Sequence, residues 1–261
     1  MTTVTELVLG AGNRSWSAVR ARLVAKRVFD VVAATLAIVV LSPVLLVLTI
    51  VLLISEGRPV LFRQRRVGRY GVAFTMLKFR TMVIDAEDQL HGLRATNERT
   101  GPLFKMASDP RVTRIGQFLR ATSLDELPQL VNVVAGTMSL VGPRPALYEE
   151  RESFTPDLLA REDMPPGITG LWQVEARTEG DFDRYRQLDL RYIQEWTLRL
   201  DLWLLVKTPF MLVKHALAPT VVAEIPAPPA LAPGPSPRAE VDLTTAQVAE
   251  PIEYELVGEA G

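Results

Sequence analysis

The chain has no cysteine and only two histidines, His91 and His215, among its 261 residues. The first absence excludes disulfides and thiolate zinc sites. The second argues against a histidine-built metal centre. Any metal is therefore expected on oxygen ligands, as Mg²⁺ or Ca²⁺. The chain also lacks an excess of either charge: 29 Lys+Arg stand against 30 Asp+Glu, a formal net of −1. Taken as a sum, that balance excludes a general polyanion binder, and no nucleic-acid partner is expected.

Placed along the chain, the same charges separate. Residues 1–80 carry 12 basic and 3 acidic side chains, a local net of +9. Residues 216–261 carry Arg238 alone against 7 acids, a net of −6, and without them the rest holds 28 basic and 23 acidic residues, +5. The length allows one large domain or two small ones. Four segments are expected: a basic extension over 1–25, a membrane anchor over 26–57, a catalytic body over 58–215 and a tail over 216–261. The tail has seven prolines between 219 and 237 followed by its acids, a composition that cannot bury enough apolar surface to order itself.

The anchor follows from a charge-free apolar run over 31–55. About 20 apolar residues suffice to cross a hydrocarbon core, so a spanning helix is one reading. Ser42-Pro43 divides the run, however, into halves of about a dozen residues, too short to span singly. Basic residues also crowd both flanks: Arg20, Arg22, Lys26 and Arg27 before, Arg58, Arg63, Arg65, Arg66 and Arg69 after. A spanning helix biases them to one side. A re-entrant helix-break-helix with both ends on the cytoplasmic face is therefore expected, with the Ser42 hydroxyl or a neighbouring element as the partner for the carbonyl that Pro43 leaves without a donor. A buried soluble helix is the remaining reading, and a cleaved signal peptide is not expected.

The fold class expected is α+β, mainly helical: the re-entrant anchor, a loop-rich body with a small β-hairpin, and interfacial amphipathic helices. Val60-Leu61-Phe62 and Val72-Ala73-Phe74 flank a turn at residues 68–71, which reads as the hairpin. Residues 84–99, 115–119 and 124–134 read as helices. Residues 184–215 read as one more, with Tyr185, Leu188, Tyr192, Trp196, Leu200 and Trp203 along a stripe. That stripe fits a core-facing helix, and with Phe210, Lys207 and Lys214 it equally fits a helix at the headgroup level.

Chemistry concentrates between Lys78 and Gln173. Lys78, Arg80, Arg111, Arg114, Arg120 and Arg144 surround a carboxylate pair, Asp125-Glu126, with Gly/Pro loops between them. Guanidinium forks on preset loops suit phosphate recognition. The pair has a structural reading as well: Ser123 with Glu126 three residues on fits a capping box, although Pro128 fits a helix starting one or two residues later. Either way the carboxylates would lie at a helix N-terminus, where an ionised Asp125 could act as a nucleophile toward phosphorus with Mg²⁺ screening the charges.

Lys26 to Asp30 (KRVFD), Ser42-Pro43, Lys78 to Met82 (KFRTM), Arg114-Ile115-Gly116, Thr122 to Leu130 (TSLDELPQL), Asn132-Val133, Ser139 to Pro145 (SLVGPRP) and Pro166 to Val174 (PGITGLWQV) occur in that order over about seven-tenths of the chain. Together they resemble the bacterial sugar transferases, the monotopic polyprenol-phosphate phosphoglycosyl transferases. The resemblance implies a bacterial plasma-membrane enzyme on the cytoplasmic leaflet, anchored by a re-entrant helix broken at Ser42-Pro43. It implies ping-pong transfer of a sugar 1-phosphate from a nucleotide diphosphate sugar to a polyprenol phosphate, starting assembly of an exopolysaccharide, O-antigen or glycoprotein glycan. By that resemblance Asp125 would be the nucleophile, Glu126 would assist through the metal or the lipid acceptor, and Lys78, Arg120 and Arg144 would meet the diphosphate and phosphate. Arg80, Arg111, Arg114, Gln173 and Arg177 are further candidate phosphate and substrate ligands, and Asp125 and Glu126 the candidate Mg²⁺ ligands. The chain departs from the pattern at Thr137, where many members carry an acid, and resembles the minimal form without an extra multi-helix membrane domain. The alternative function is a membrane-tethered scaffold that binds anionic lipid and recruits partners through its Pro-rich tail.

Overall fold

The computed structural model describes residues 16–93, 97, 103, 106, 108–176 and 181–217. The basic extension up to residue 15, Arg177 and residues 218–261 of the tail lie outside that set.

The chain begins with α1, Trp16–Ser55, one helix of 40 residues with Pro43 inside it. The expected division into two half-helices is corrected: the helix continues through Ser42-Pro43. The reason is local. Pro43 has no N–H for the Val39 carbonyl, and the Ser42 hydroxyl donates to that carbonyl instead at 2.8 Å. Thr49 and Ser55 likewise turn their hydroxyls back onto Leu45 and Val51 carbonyls, at 2.7 and 2.6 Å. Polar groups in the apolar run are thus satisfied inside the helix, as a hydrocarbon environment requires. The run is not a soluble core helix: Leu36, Val39, Val40, Leu46, Val47 and Ile54 are exposed, Ile54 at 80%. Contiguous apolar exposure on this scale marks a membrane-contact surface, and α1 is the one helix among the described residues long and apolar enough to cross a bilayer.

Two buried points fasten α1. Ala34 packs with Phe74, Met76, Leu130, Val133 and Met138, and Leu52 packs with Phe79 and Leu119. The hairpin is formed as expected, β1 (Leu61–Val67) antiparallel to β2 (Ala73–Phe79) around a tight turn at Arg69–Gly71. With a side-chain period of two, Phe74, Met76 and Lys78 share one face of β2, while Arg63 and Arg65 lie on the solvent side of β1. The edge of β2 is sealed by Asn132, which accepts from the Leu77 N–H at 3.0 Å and donates to the Thr75 carbonyl at 2.8 Å.

Next come α2 (Ala86–Leu93), α3 (Arg114–Thr122), a 3-10 turn (Leu124–Glu126) and α4 (Gln129–Ala135). Then β3 (Ser139–Val141), α5 (Tyr148–Glu152), a 3-10 segment (Leu158–Asp163), β4 (Gly167–Thr169) and α6 (Leu171–Glu175) follow. β3 and β4 pair in parallel, Ser139 opposite Gly167 and Val141 opposite Thr169. The two Gly/Pro loops read as punctuation in the sequence are therefore pressed together. A Cβ on Gly167 would lie 2.1 Å from the Gly142 nitrogen, which no side chain tolerates.

The single helix expected over 184–215 is two: α7 (Phe182–Glu195) and α8 (Leu198–Leu217). Trp196 leaves the helical region, and the Thr197 hydroxyl accepts from the Leu200 N–H at 3.1 Å, capping a new start. The break also divides the stripe. Tyr185, Leu188, Tyr192 and Trp196 are buried in the main core, whereas Trp203, Val206 and Phe210 are exposed.

The root of α1 is polar and buried. Lys26 donates to Asp201 of α8 at 2.7 Å and to the Val141 carbonyl at 3.0 Å, while Asp30 accepts from the Ser139 hydroxyl at 2.7 Å. Lys26→Met should destabilise the protein by about 3 to 5 kcal/mol, because Asp30 and Asp201 would be left buried without their cation. Denaturant unfolding in detergent would measure the loss, and a midpoint equal to the wild type would refute it.

Candidate active site

Asp125 and Glu126 sit where α3 stops. Ser123 adopts a left-handed conformation (φ 57°) as the C-cap of α3, its N–H bonding back to Leu119 and Arg120 carbonyls, and the chain turns at once into the 3-10 segment. The capping-box reading is corrected, since Ser123 makes no side-chain cap there. Glu126 is engaged elsewhere: its Oε1 accepts from Lys78 Nζ at 2.8 Å, and Asp125 Oδ2 lies 3.9 Å from the same ammonium. α4 begins only after Pro128, so the carboxylates lie ahead of that helix rather than in its first turn. Asp125 is 7% exposed and Glu126 about a third exposed. One lysine, delivered by the inner face of the hairpin, thus serves two adjacent carboxylates.

The arginines divide into those held by the fold and those open to a ligand. Arg80 donates to the Glu56 and Gly57 carbonyls and so closes the C-terminus of α1. Arg111 forks onto Asp109 at 2.9 and 2.7 Å and reaches the Ala86 carbonyl at 3.1 Å. Burial acts to raise the Asp109 carboxyl, but the hydrogen bonds from Arg111 outweigh it and hold the group below its ordinary value. Arg114 is the exposed first residue of α3. Arg120, also exposed, bonds Thr81 Oγ1 through Nε at 2.8 Å, and its guanidinium is attracted by both Asp125 and Asp109. Arg144 lies in the loop between β3 and α5, 28% exposed, and is attracted by Glu150 and more weakly by Glu126. Gln173 is half-buried on α6, and its Oε1 is buried with no hydrogen-bond partner among the described residues. Lys78 is therefore the cation in contact with the dyad, with Arg120 attracted by Asp125 and Arg144 by Glu126, while Arg80 and Arg111 are taken up by the fold.

Sequence reasoning missed a buried network behind Arg144. Glu150 stands between Arg144 Nη1 at 3.4 Å and Arg66 Nη1 at 3.7 Å; Arg161 pairs with Asp189 at 2.7 Å and donates to the Arg144 carbonyl. Burial, with Arg144 adding to it, pushes the Arg66 guanidinium down to about 10. For Glu150 burial acts upward, but Arg144, Arg66 and the Leu147 N–H prevail and hold the carboxyl below its ordinary value. The one signal available in the sequence was Arg66, which falls on the hairpin face shared with Phe74 and Met76.

Among the described residues no three carboxylate or imidazole groups form a metal cluster. Two adjacent carboxylates nevertheless suit Mg²⁺, which is commonly held by one or two protein oxygens with substrate phosphates and waters completing its shell. The Lys78 ammonium already between them shows that the place favours a cation.

A helical body rooted on a long apolar helix, with a half-buried carboxylate pair facing cations, is the class that fold and site define. Residues 21–215 match the model of the bacterial sugar transferase family, and the chain belongs to that family. It is 42% identical over 198 residues to a UDP-galactose-lipid carrier transferase of Erwinia amylovora, covering 73% of this chain and 40% of that protein. It is 40% identical over 197 residues to the undecaprenyl-phosphate galactose phosphotransferase of Salmonella typhimurium, again 73% and 40% of the two chains. The exopolysaccharide production protein ExoY of Rhizobium meliloti is 39% identical over 188 residues, 70% of this chain and 83% of that one. The chain thus spans about two fifths of the longer relatives it matches.

Gly116 shows how α3 sets Arg120. A Cβ there would lie 2.0 Å from the Thr81 carbonyl oxygen, and Thr81 also carries the hydroxyl that holds Arg120. Gly116→Ala should force α3 off the strand exit, costing about 1 to 3 kcal/mol of stability. A melting temperature equal to that of the wild type would show that α3 is free to slide.

Proposed function

We propose that the chain is a phosphoglycosyl transferase that moves a sugar 1-phosphate from a nucleotide diphosphate sugar to a polyprenol phosphate of the undecaprenyl type. The observation that carries the reading is Asp125, a buried carboxylate set 3.9 Å from Lys78 Nζ and attracting the Arg120 guanidinium. The names of the relatives, a UDP-galactose-lipid carrier transferase and an undecaprenyl-phosphate galactose phosphotransferase, support the same reaction class.

A carboxylate oxygen of Asp125 attacks the β-phosphorus, an Asp–O–P bond forms, the bond from that phosphorus to the bridging oxygen breaks, and nucleoside monophosphate leaves with the electron pair. An oxygen of the polyprenol phosphate then attacks the same phosphorus, and the Asp–O–P bond breaks to restore the carboxylate. Arg120 and Arg144 balance charge on the transferring phosphoryl group. Lys78 holds Glu126 and steadies the charge of the pair. Mg²⁺, held by Asp125 and Glu126, would neutralise the donor diphosphate and let an anionic nucleophile approach it.

The membrane reading belongs to the same proposal. The cationic flanks at both ends of the apolar run support a re-entrant placement of α1 with the body on the cytoplasmic leaflet, in which the helix, continuous through Ser42-Pro43, would have to bend at that pair. The exposed apolar face of α8, with Lys207 Nζ over the Trp203 ring at 5.7 Å, supports an interfacial position for that helix.

Asp125→Asn should cut release of nucleoside monophosphate by about a thousandfold or more. Wild-type protein incubated with a panel of nucleotide sugars, UDP-hexoses first, should gain the mass of one phosphosugar per chain in the absence of acceptor. Normal turnover by the Asn variant, or no adduct on the wild type with any donor, would remove Asp125 as nucleophile. A chelator should stop the reaction and added Mg²⁺ restore it; full activity in excess chelator would exclude the metal.

A further inference from the structure

We propose that Glu150 is a positioning residue for Arg144, holding its guanidinium in the orientation that receives a phosphate. The proposal rests on the reading of Arg144 as a phosphate ligand given above.

The loop that carries Arg144 has four successive carbonyls committed. The Pro143 carbonyl accepts from the Gly167 N–H at 2.9 Å, the Arg144 carbonyl from Arg161, the Pro145 carbonyl from Arg66 at 3.1 Å and the Ala146 carbonyl from the Val67 N–H at 2.9 Å. Prolines on both sides of Arg144 fix their own φ angles. What the backbone does not fix is the long side chain, which samples many rotamers when unheld. Among the described residues its guanidinium has one hydrogen-bond partner, Glu150 Oε1 at 3.4 Å.

Glu150 is itself immobilised. It is 4% exposed, its Oε2 accepts from the Leu147 N–H at 2.7 Å, and the same oxygen faces Arg66 at 3.7 Å. Arg66 is pinned in turn by Gln64 Oε1 at 3.0 and 2.6 Å. One buried carboxylate thus serves two guanidiniums. The group keeps a net positive charge, and the only partly exposed member is the one that faces ligand.

Two roles for Glu150 make opposite predictions. If it acted merely as a nearby negative charge, removing that charge would strengthen anion binding by Coulomb's law. If it positions Arg144, removing it weakens binding despite the more favourable charge. Glu150→Gln can keep its one oxygen on the Leu147 N–H, and then sets an amide NH2 in place of the oxygen that faces Arg144, so it removes the charge and the acceptor for Arg144 together. The probe is pyrophosphate with Mg²⁺, titrated calorimetrically into the full chain in detergent. Glu150→Gln should weaken binding by about tenfold, and should have no further effect in an Arg144→Ala background, as coupled neighbours require. Tighter or unchanged binding, or an equal loss in both backgrounds, would overturn the proposal. Glu150→Asp, which keeps the charge but withdraws it by one methylene, carries the same cycle if the Gln variant does not fold, and should give a smaller loss than Arg144→Ala. The readout is binding, so the inference stands or falls separately from the transferase reading. That reading fails if the wild type releases no nucleoside monophosphate from any donor, whatever the pyrophosphate cycle shows.

Discussion

The structure depends on one buried ion pair, Lys26 with Asp201, and on the turn of α1 that carries it. Within five residues, Lys26 reaches α8 through Asp201 and β3 through the Val141 carbonyl; Arg27 reaches the end of α4 through the Val133 and Val134 carbonyls at 2.6 and 2.9 Å; Asp30 holds Ser139 and the Leu140 N–H. α4 follows the carboxylate dyad directly, and β3 leads directly into the loop of Arg144. Both halves of the site are therefore referenced to the same turn of the apolar helix. Tyr192 and Trp196 complete the arrangement by donating to Asp201 at 2.8 and 3.1 Å. Burying these charges gives little net stability, but an unpaired one is costly, so the contact enforces a single register of helix on body. An apolar contact of the same size would leave α1 free to slide along the face it packs against.

Two kinds of arginine emerge from the same logic. Arg80 and Arg111 hold backbone carbonyls or an adjacent carboxylate, and a ligand would have to displace those bonds to use them. Arg120 and Arg144 are attached at one edge and open at the other. In the sequence the two kinds are indistinguishable, because no short-range pattern tells which arginine the fold will engage: Arg111 has Asp109 two residues away, whereas Arg80 and Arg120 bond groups 24 and 39 residues away. Arg80 finds its carbonyls at the end of α1, and Arg144 finds Glu150 only because α5 folds back on the loop.

Legibility followed the range of the interaction. Ser42 relieving the Val39 carbonyl was readable because the relation is helical and local, and the hairpin was readable from its turn. The capping box failed for the opposite reason. Ser123 and Glu126 have the right local spacing, but Lys78 in a separate strand took the glutamate, and the left-handed Ser123 ended one helix rather than starting the next. The parallel pair β3 and β4 left no periodic trace, since strands of three residues are too short for one; only the Gly142 and Gly167 contact explains why those loops are glycine-rich. The stripe over 184–215 was right in composition and wrong in continuity. Thr197 restarts the helix, so the aromatic residues before it entered the core and those after it did not.

The loop over 141–146 bears on how the site works. Five of its carbonyls are already bonded, to Lys26, Gly167, Arg161, Arg66 and Val67, so the path of its backbone is set on folding. That leaves little of the loop's path for a ligand to reorganise, the condition under which fixed dipoles and charges act most strongly on an anion. The dyad is prepared in a different way: Lys78 already occupies the space between two carboxylates, so their mutual repulsion is relieved before any substrate or metal binds. A site built like this needs the membrane helix less for chemistry than for placement. Its charges are set by contacts within the body, and the Lys26 turn sets where that body stands on α1.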